Sequence, residues 1–151
     1  MIFVGLDTNV LAYLAGVDRG GNDALKIAAA RTLLARLKGK VRLVAPSQTL
    51  GELFAVLTRT GATRSDARAI VVQFHQTFDV AESNSSTFLA ALDLAVTHRL
   101  QFWDSLIVSA AAEAGCSLLL SEDLQDGFVW RGLTIANPFA AAIHPRLAAL
   151  P

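Results

Sequence analysis

Short unbroken apolar runs alternate along this chain with longer segments in which apolar residues recur every three or four positions. Ile2-Phe3-Val4-Gly5-Leu6 predicts a short buried strand. Asp7-Thr8-Asn9 then offers N-cap chemistry for a helix through Leu14, and Gly16 to Asn22 reads as a loop. From Asp23 to Leu37 the row Leu25, Ala29, Leu33, Leu34, Leu37 has the pattern of an amphipathic helix, ended by Gly39. Val41 to Ala45 predicts a second strand, closed by Pro46. Leu50, Leu53, Phe54 and Leu57 have helical spacing, with a stop at Gly61. Another helix is predicted from Ser65 to Thr77, then a short strand at Phe78-Asp79-Val80. Ser85 or Ser86 caps a helix that runs to His98. Trp103 to Ala114 is almost wholly apolar, the mark of a buried helix, and Gly115 supplies its exit. Ser117 to Leu120 and Leu133-Thr134-Ile135 read as the last strands, and Asn137-Pro138-Phe139 leaves the sheet.

Strands alternating with helices predict an α/β fold: three layers, α/β/α, around a central parallel sheet of four to five strands. Ligands of such sheets bind beyond the carboxyl ends of the strands. The chain has 151 residues and no repeat or linker, so a single domain over 1–151 is expected. An apolar content of 53% against 17% charged residues excludes a disordered chain. No apolar run is long enough for a membrane helix. Met1 to Val17 lacks a basic leader and is broken by Asp7, which argues against a secretory signal. The lone Cys116 excludes an internal disulfide and fits a reducing, cytoplasmic setting, where it is read as a buried structural thiol.

Thirteen basic and thirteen acidic side chains cancel, so net charge gives no argument for nucleic-acid binding. The cations are grouped, however: Arg31, Arg36, Lys38, Lys40 and Arg42 in one stretch, Arg59, Arg64 and Arg68 in another. Two explanations fit them, a solvated face with cations at helix C-termini or a rim that contacts phosphates.

The chemistry lies in four short acidic motifs: Leu6-Asp7-Thr8-Asn9, Gly51-Glu52-Leu53, Trp103-Asp104-Ser105 and Ser121-Glu122-Asp123. Each acid has a plain explanation. Asp7 suits an N-cap, Glu52 a capping box with Thr49, Asp104 the first turn of a helix, and Asp123 a solvated turn. Together they suggest something else. Asp7 and Asp123 both fall just after strands, on one rim of the sheet. Carboxylates crowded at one site repel, which raises the pKa of at least one of them, and a divalent cation removes that repulsion. Hard cations such as Mg²⁺ and Mn²⁺ take oxygen ligands. His75, His98 and His144 are scattered and offer no zinc site with Cys116.

The order and spacing of these motifs resemble the PIN-domain nucleases, and among them the VapC-type toxins of bacterial toxin–antitoxin pairs. The likeness spans nearly the whole chain. It rests on Asp7-Thr8-Asn9-Val10, Glu52, Trp103-Asp104-Ser105-Leu106-Ile107, Leu120-Ser121-Glu122-Asp123-Leu124 and the closing Asn137-Pro138-Phe139. The resemblance implies a PIN-like fold and an endoribonuclease dependent on Mg²⁺ or Mn²⁺. It implies Asp7, Glu52, Asp104 and Asp123 as catalytic residues, with Asp7, Asp104 and Asp123 nearest the metal. Glu52 would orient the attacking water, and Asn9 and Ser121 would hold acids in place. It further implies an RNA substrate, a cognate antitoxin and a homodimer. Ala12, Leu14, Val56 and Leu57 are apolar candidates for those protein surfaces, or for the core. The neutral net charge departs from what strong generic RNA affinity would ask for. Two other classes remain: a PIN-like RNA- or protein-binding module without turnover, and another acid-pocket phosphohydrolase. Aspartyl-phosphate phosphatases, which need Asp-x-Asp after the first strand, find Asn9 in the third position here.

Overall fold

The computed structural model describes all residues, 1–151. The chain folds as β1 (Phe3–Leu6), α1 (Thr8–Leu14), α2 (Ala24–Leu37), β2 (Arg42–Pro46), α3 (Ser47–Arg59), α4 (Arg64–Thr77), β3 (Asp79–Ala81), α5 (Ser85–His98), α6 (Phe102–Glu113), β4 (Leu118–Leu120), β5 (Val129–Trp130), β6 (Leu133–Ala136) and α7 (Pro145–Ala148). One sheet runs β3-β2-β1-β4-β6-β5. Its neighbours pair in parallel except β5 with β6, which are antiparallel. The sheet therefore has six strands, one more than the upper expectation. The addition is a two-residue edge ribbon, Val129–Trp130, too short to leave a period in the sequence.

Alternation along the strands divides the apolar residues between two cores. Val4, Leu6, Leu118 and Leu120 face one core, where Val10, Leu11, Leu37, Leu50 and Leu53 meet them. Leu119, Leu133 and Ile135 face the other, against Leu94, Ile107, Val108 and Ala111. This is the expected three-layer arrangement. Gly5 lies on the face of β1 that looks toward α6. A Cβ there would lie 3.0 Å from Leu119 Cδ1 and 3.4 Å from Ala111 Cβ, so the missing side chain is what allows α6 to rest on β1. Buried hydroxyls anchor the same helix: Ser109 Oγ donates to the Thr87 carbonyl, and Thr87 Oγ1 donates to Glu113.

Several local expectations shift. In α2 the inward residues are Ala30, Leu33, Leu34 and Leu37, whereas Leu25 is 84% exposed and Ala29 faces solvent. The apolar row starts one turn later because the first turn of α2 is held by a polar contact, Lys26 with Glu122, and leaves Leu25 on the solvent side. Pro46 remains within β2, aligned with Ala81. Asn84, not Ser85 or Ser86, caps α5, in a reciprocal box with Thr87. Ala12, Val56 and Leu57 are core residues, and Leu14 packs against them. The thiol of Cys116 is buried, and burial pushes its pKa up to about 12. In the first basic group, Arg42 pairs with Asp79 and Arg36 donates to the Leu147 carbonyl, both structural contacts. No helix is long and apolar enough to cross a membrane.

Candidate active site

Asp7 is the residue at which β1 becomes α1. Its N–H still belongs to the sheet and donates to the Leu120 carbonyl at 3.0 Å, while its side chain already caps the helix, Oδ1 accepting from Thr8 N–H at 2.7 Å. The other oxygen, Oδ2, accepts from Ser121 Oγ at 2.7 Å. Ser121 follows β4, is fully buried, and also receives the Leu124 N–H. Two adjacent strand ends thus fix one carboxylate that is 8% exposed. Burial raises the Asp7 pKa from 3.8 to about 6, against the lowering effect of the Ser121 and Thr8 hydrogen bonds; Asp104 and Glu52 push it further upward.

Asp104 lies in the first turn of α6, as the sequence suggests. The helix dipole favours its charge there, yet its pKa is raised, first by burial and then by the negative charges of Glu52 and Asp123. Asp104 thus feels acids from two other elements. Glu52 is not the capping-box partner of Thr49. Thr49 Oγ1 donates to the Pro46 carbonyl, and Glu52 turns away to accept from Thr8 Oγ1 at 2.6 Å and Gln48 Nε2 at 3.0 Å. Asp123 stands on the loop after β4 and accepts from Asn9 Nδ2 at 2.6 Å.

All four acids, with Thr8 and Asn9, line a single cleft of about 410 Å³ beyond the carboxyl ends of β1 and β4. Arg19, Arg59, Gln101, Ala55 and Val56 complete its walls. Ser121 sits beneath it, behind Asp7. A larger cavity, about 650 Å³, opens at the amino-terminal end of β2 between the ends of α2 and α4. Its one carboxylate, Asp79, is already paired with Arg42, so the acids mark the smaller cleft as the chemical one.

The donor set is oxygen only, with no Cys or His in the cleft. That suits a hard divalent cation, as does the upward shift of two of the carboxyls, which a positive charge would reverse. No three acidic, His or Cys side chains close around a point tightly enough to enclose an ion by themselves. A hydrated cation such as Mg²⁺, which keeps several waters, suits such an open set better than one that needs a protein cage.

Thr8, Gln48, Arg19 and Arg59 are contributors to which the sequence reading gave no place at these acids. Arg59 had a detectable signal: Glu52, Ala55, Val56 and Arg59 are spaced as one face of α3. Arg19 had none, because it comes from the irregular loop between α1 and α2. Glu122, beside Asp123, points elsewhere. It accepts from Tyr13 Oη at 2.8 Å and pairs with Lys26 at 2.9 Å, tying β4 to α1 and α2.

A parallel sheet whose carboxyl edge gathers four acids from sequence-distant elements defines an acid-pocket α/β protein. The chain belongs to the PIN domain family, whose model matches residues 4–125. Among solved structures it is similar to VapC20 of Mycobacterium tuberculosis, described as a sarcin-ricin loop cleaving toxin, with 20% identity, 80% of this chain and 89% of that one covered, and a TM-score of 0.63. It is similar to VapBC2 of Rickettsia felis bound to a promoter DNA fragment, with 14% identity, 81% and 89% coverage, and a TM-score of 0.62. It is also similar to a toxin–antitoxin complex from Klebsiella pneumoniae, with 15% identity, 90% and 98% coverage, and a TM-score of 0.63. At these identities the likeness establishes the fold. No curated protein matches the chain.

Proposed function

We propose that this chain, a single PIN domain over residues 1–151, is an endoribonuclease dependent on Mg²⁺ or Mn²⁺ and the toxin of a toxin–antitoxin pair. The observation that carries this reading is the meeting of Asp7, Glu52, Asp104 and Asp123 in one cleft at the sheet's carboxyl edge. Asp7, Asp104 and Asp123 would hold the metal. When bound, it would lower the pKa of water and offset charge on the scissile phosphate.

The remaining work falls to the chain's own side chains. Ser121 and the Thr8 N–H hold both oxygens of Asp7 in place. Asn9 fixes Asp123 from across the cleft. Thr8 and Gln48 orient Glu52, which in turn orients the attacking water. Water oxygen bonds to phosphorus, the bond to the ribose 3′-oxygen breaks, and that oxygen leaves with a proton. The products carry a 5′-phosphate and a 3′-hydroxyl.

One of the similar structures is a toxin–antitoxin complex and another is VapBC2 bound to promoter DNA, which supports an antitoxin partner here. A homodimer is supported by an exposed apolar row on α5, formed by Phe88, Leu89, Leu92 and Val96. The test is cleavage of cellular RNA by the purified chain with Mn²⁺, with both product ends analysed. Cleavage that EDTA abolishes and that leaves 5′-phosphates is expected. A cyclic phosphate product, or cleavage surviving excess EDTA, contradicts the mechanism.

A further inference from the structure

A chain with no net charge still has to hold a polyanion, so its cations must sit where they matter. Arg19 and Arg59 are the cations that line the acid cleft. Neither forms an ion pair, although four carboxylates line the same walls; the chain's salt bridges are Lys26–Glu122 and Arg42–Asp79. Arg19 gives one N–H to Asn9 Oδ1 at 2.8 Å, and its main-chain N–H is held by Asp23. That contact points the Asn9 amide nitrogen at Asp123 and leaves the other guanidinium donors of Arg19 free. Arg59 makes no side-chain hydrogen bond and stands two helical turns beyond Glu52, about 10 Å along α3. Two planar, permanently charged forks thus stand in the lining of one cleft, one linked through Asn9 to Asp123 and the other two turns past Glu52.

We propose that Arg19 and Arg59 are a phosphate clamp that holds the RNA backbone on either side of the bond cut at the acids. This rests on the nuclease reading above. A guanidinium binds phosphate through paired N–H groups, and neither arginine has a carboxylate to give up first. The clamp also accounts for the neutral composition: affinity comes from two placed cations and not from a basic surface.

The test is the salt dependence of binding, measured by fluorescence anisotropy with a labelled single-stranded RNA of mixed sequence in EDTA, so that no cleavage intrudes. Each phosphate contact on a single strand contributes about 0.7 to the slope of log affinity against log salt. Arg59→Ala is expected to lower that slope by about 0.7 and weaken binding several-fold. Arg59→Lys should restore most of the slope, because it restores the charge. Arg59→Ala should bind Mn²⁺ as tightly as the wild type, or more tightly, and keep its melting temperature. Arg19→Ala should lower the slope in the same way and also loosen Mn²⁺ through Asn9. If the wild type binds RNA while Arg59→Ala keeps its slope and affinity, the clamp is wrong and the nuclease reading stands. An unchanged slope with tighter Mn²⁺ binding would make Arg59 a counter-ion of the acids instead. A wild-type chain that binds no RNA even at low salt overturns the clamp, and the ribonuclease reading falls with it only if the same chain also fails to cleave RNA with Mn²⁺.

Discussion

Asp7 is where this fold gives up stability for chemistry, and Asp7→Asn measures by how much. The carboxyl titrates near 3.8 in an unfolded chain and at about 6 in the folded one, chiefly because it is buried. A folded-state pKa above the unfolded value means that protonation favours folding. Ionisation therefore weakens the metal-free protein above about pH 6, and the penalty fades as pH falls from about 6 to 3.8. A shift of this size corresponds to about 3 kcal/mol. Asparagine removes the charge and keeps an acceptor for the Thr8 N–H, but it loses the hydrogen bond from Ser121, which costs about 1 kcal/mol. Asp7→Asn should then be more stable than wild type by about 2 kcal/mol at pH near 7.5, or about 4 to 8 °C in Tm for a domain of this size. The assay is thermal unfolding in EDTA from about pH 4 to pH 8. The gain should be largest at the alkaline end and vanish toward pH 4. Added Mn²⁺ should stabilise the wild type and leave the variant almost unmoved. An Asp7→Asn variant no more stable than wild type at neutral pH, or a gain that does not change with pH, would refute this account of Asp7.

Other substitutions probe separate parts of the site and the fold. Asp104→Asn should remove RNA cleavage while circular dichroism stays close to wild type and Tm is no lower, since its carboxyl too is raised by burial; retained turnover would take Asp104 out of the site. Ser121→Ala removes the hydroxyl that lowers the Asp7 pKa, so Mn²⁺ affinity measured by calorimetry should fall about 10- to 100-fold at neutral pH and recover partly as pH rises. Gly5→Val places a side chain where a Cβ already meets Leu119 at 3.0 Å, and denaturant unfolding should register a loss of about 1 to 3 kcal/mol.

The parts of the fold that a sequence can display are those set by local periodicity and punctuation. β1, the buried α6 and β4 each correspond to an apolar run, and Gly39, Gly61 and Gly115 all adopt positive φ at helix ends, as their positions suggested. What stayed hidden depends on neighbours in space. The Leu25 row of α2 has the right period, but which turn meets the sheet is decided by packing. β5 is defined by pairing with β6 and not by its two residues. The four acids were legible as motifs, and their presence in one cleft follows from strand order, since β1 and β4 are neighbours although Asp7 and Asp123 are far apart in the chain. Glu52 is the instructive case. Thr49-Leu50-Gly51-Glu52 reads as a capping box, yet the carboxylate binds Thr8 on another helix, a partner that local sequence does not name. Arg19 was invisible for the same reason: only the folded loop brings it to Asn9.

Whether Asp7, Glu52, Asp104 and Asp123 gather around one divalent cation is addressed most directly by anomalous diffraction from a crystal soaked in Mn²⁺. The expected result is a manganese peak in the cleft, with carboxylate oxygens of Asp7, Asp104 and Asp123 as ligands, directly or through water. A peak elsewhere with these acids bare, or no peak at saturating Mn²⁺, would contradict it.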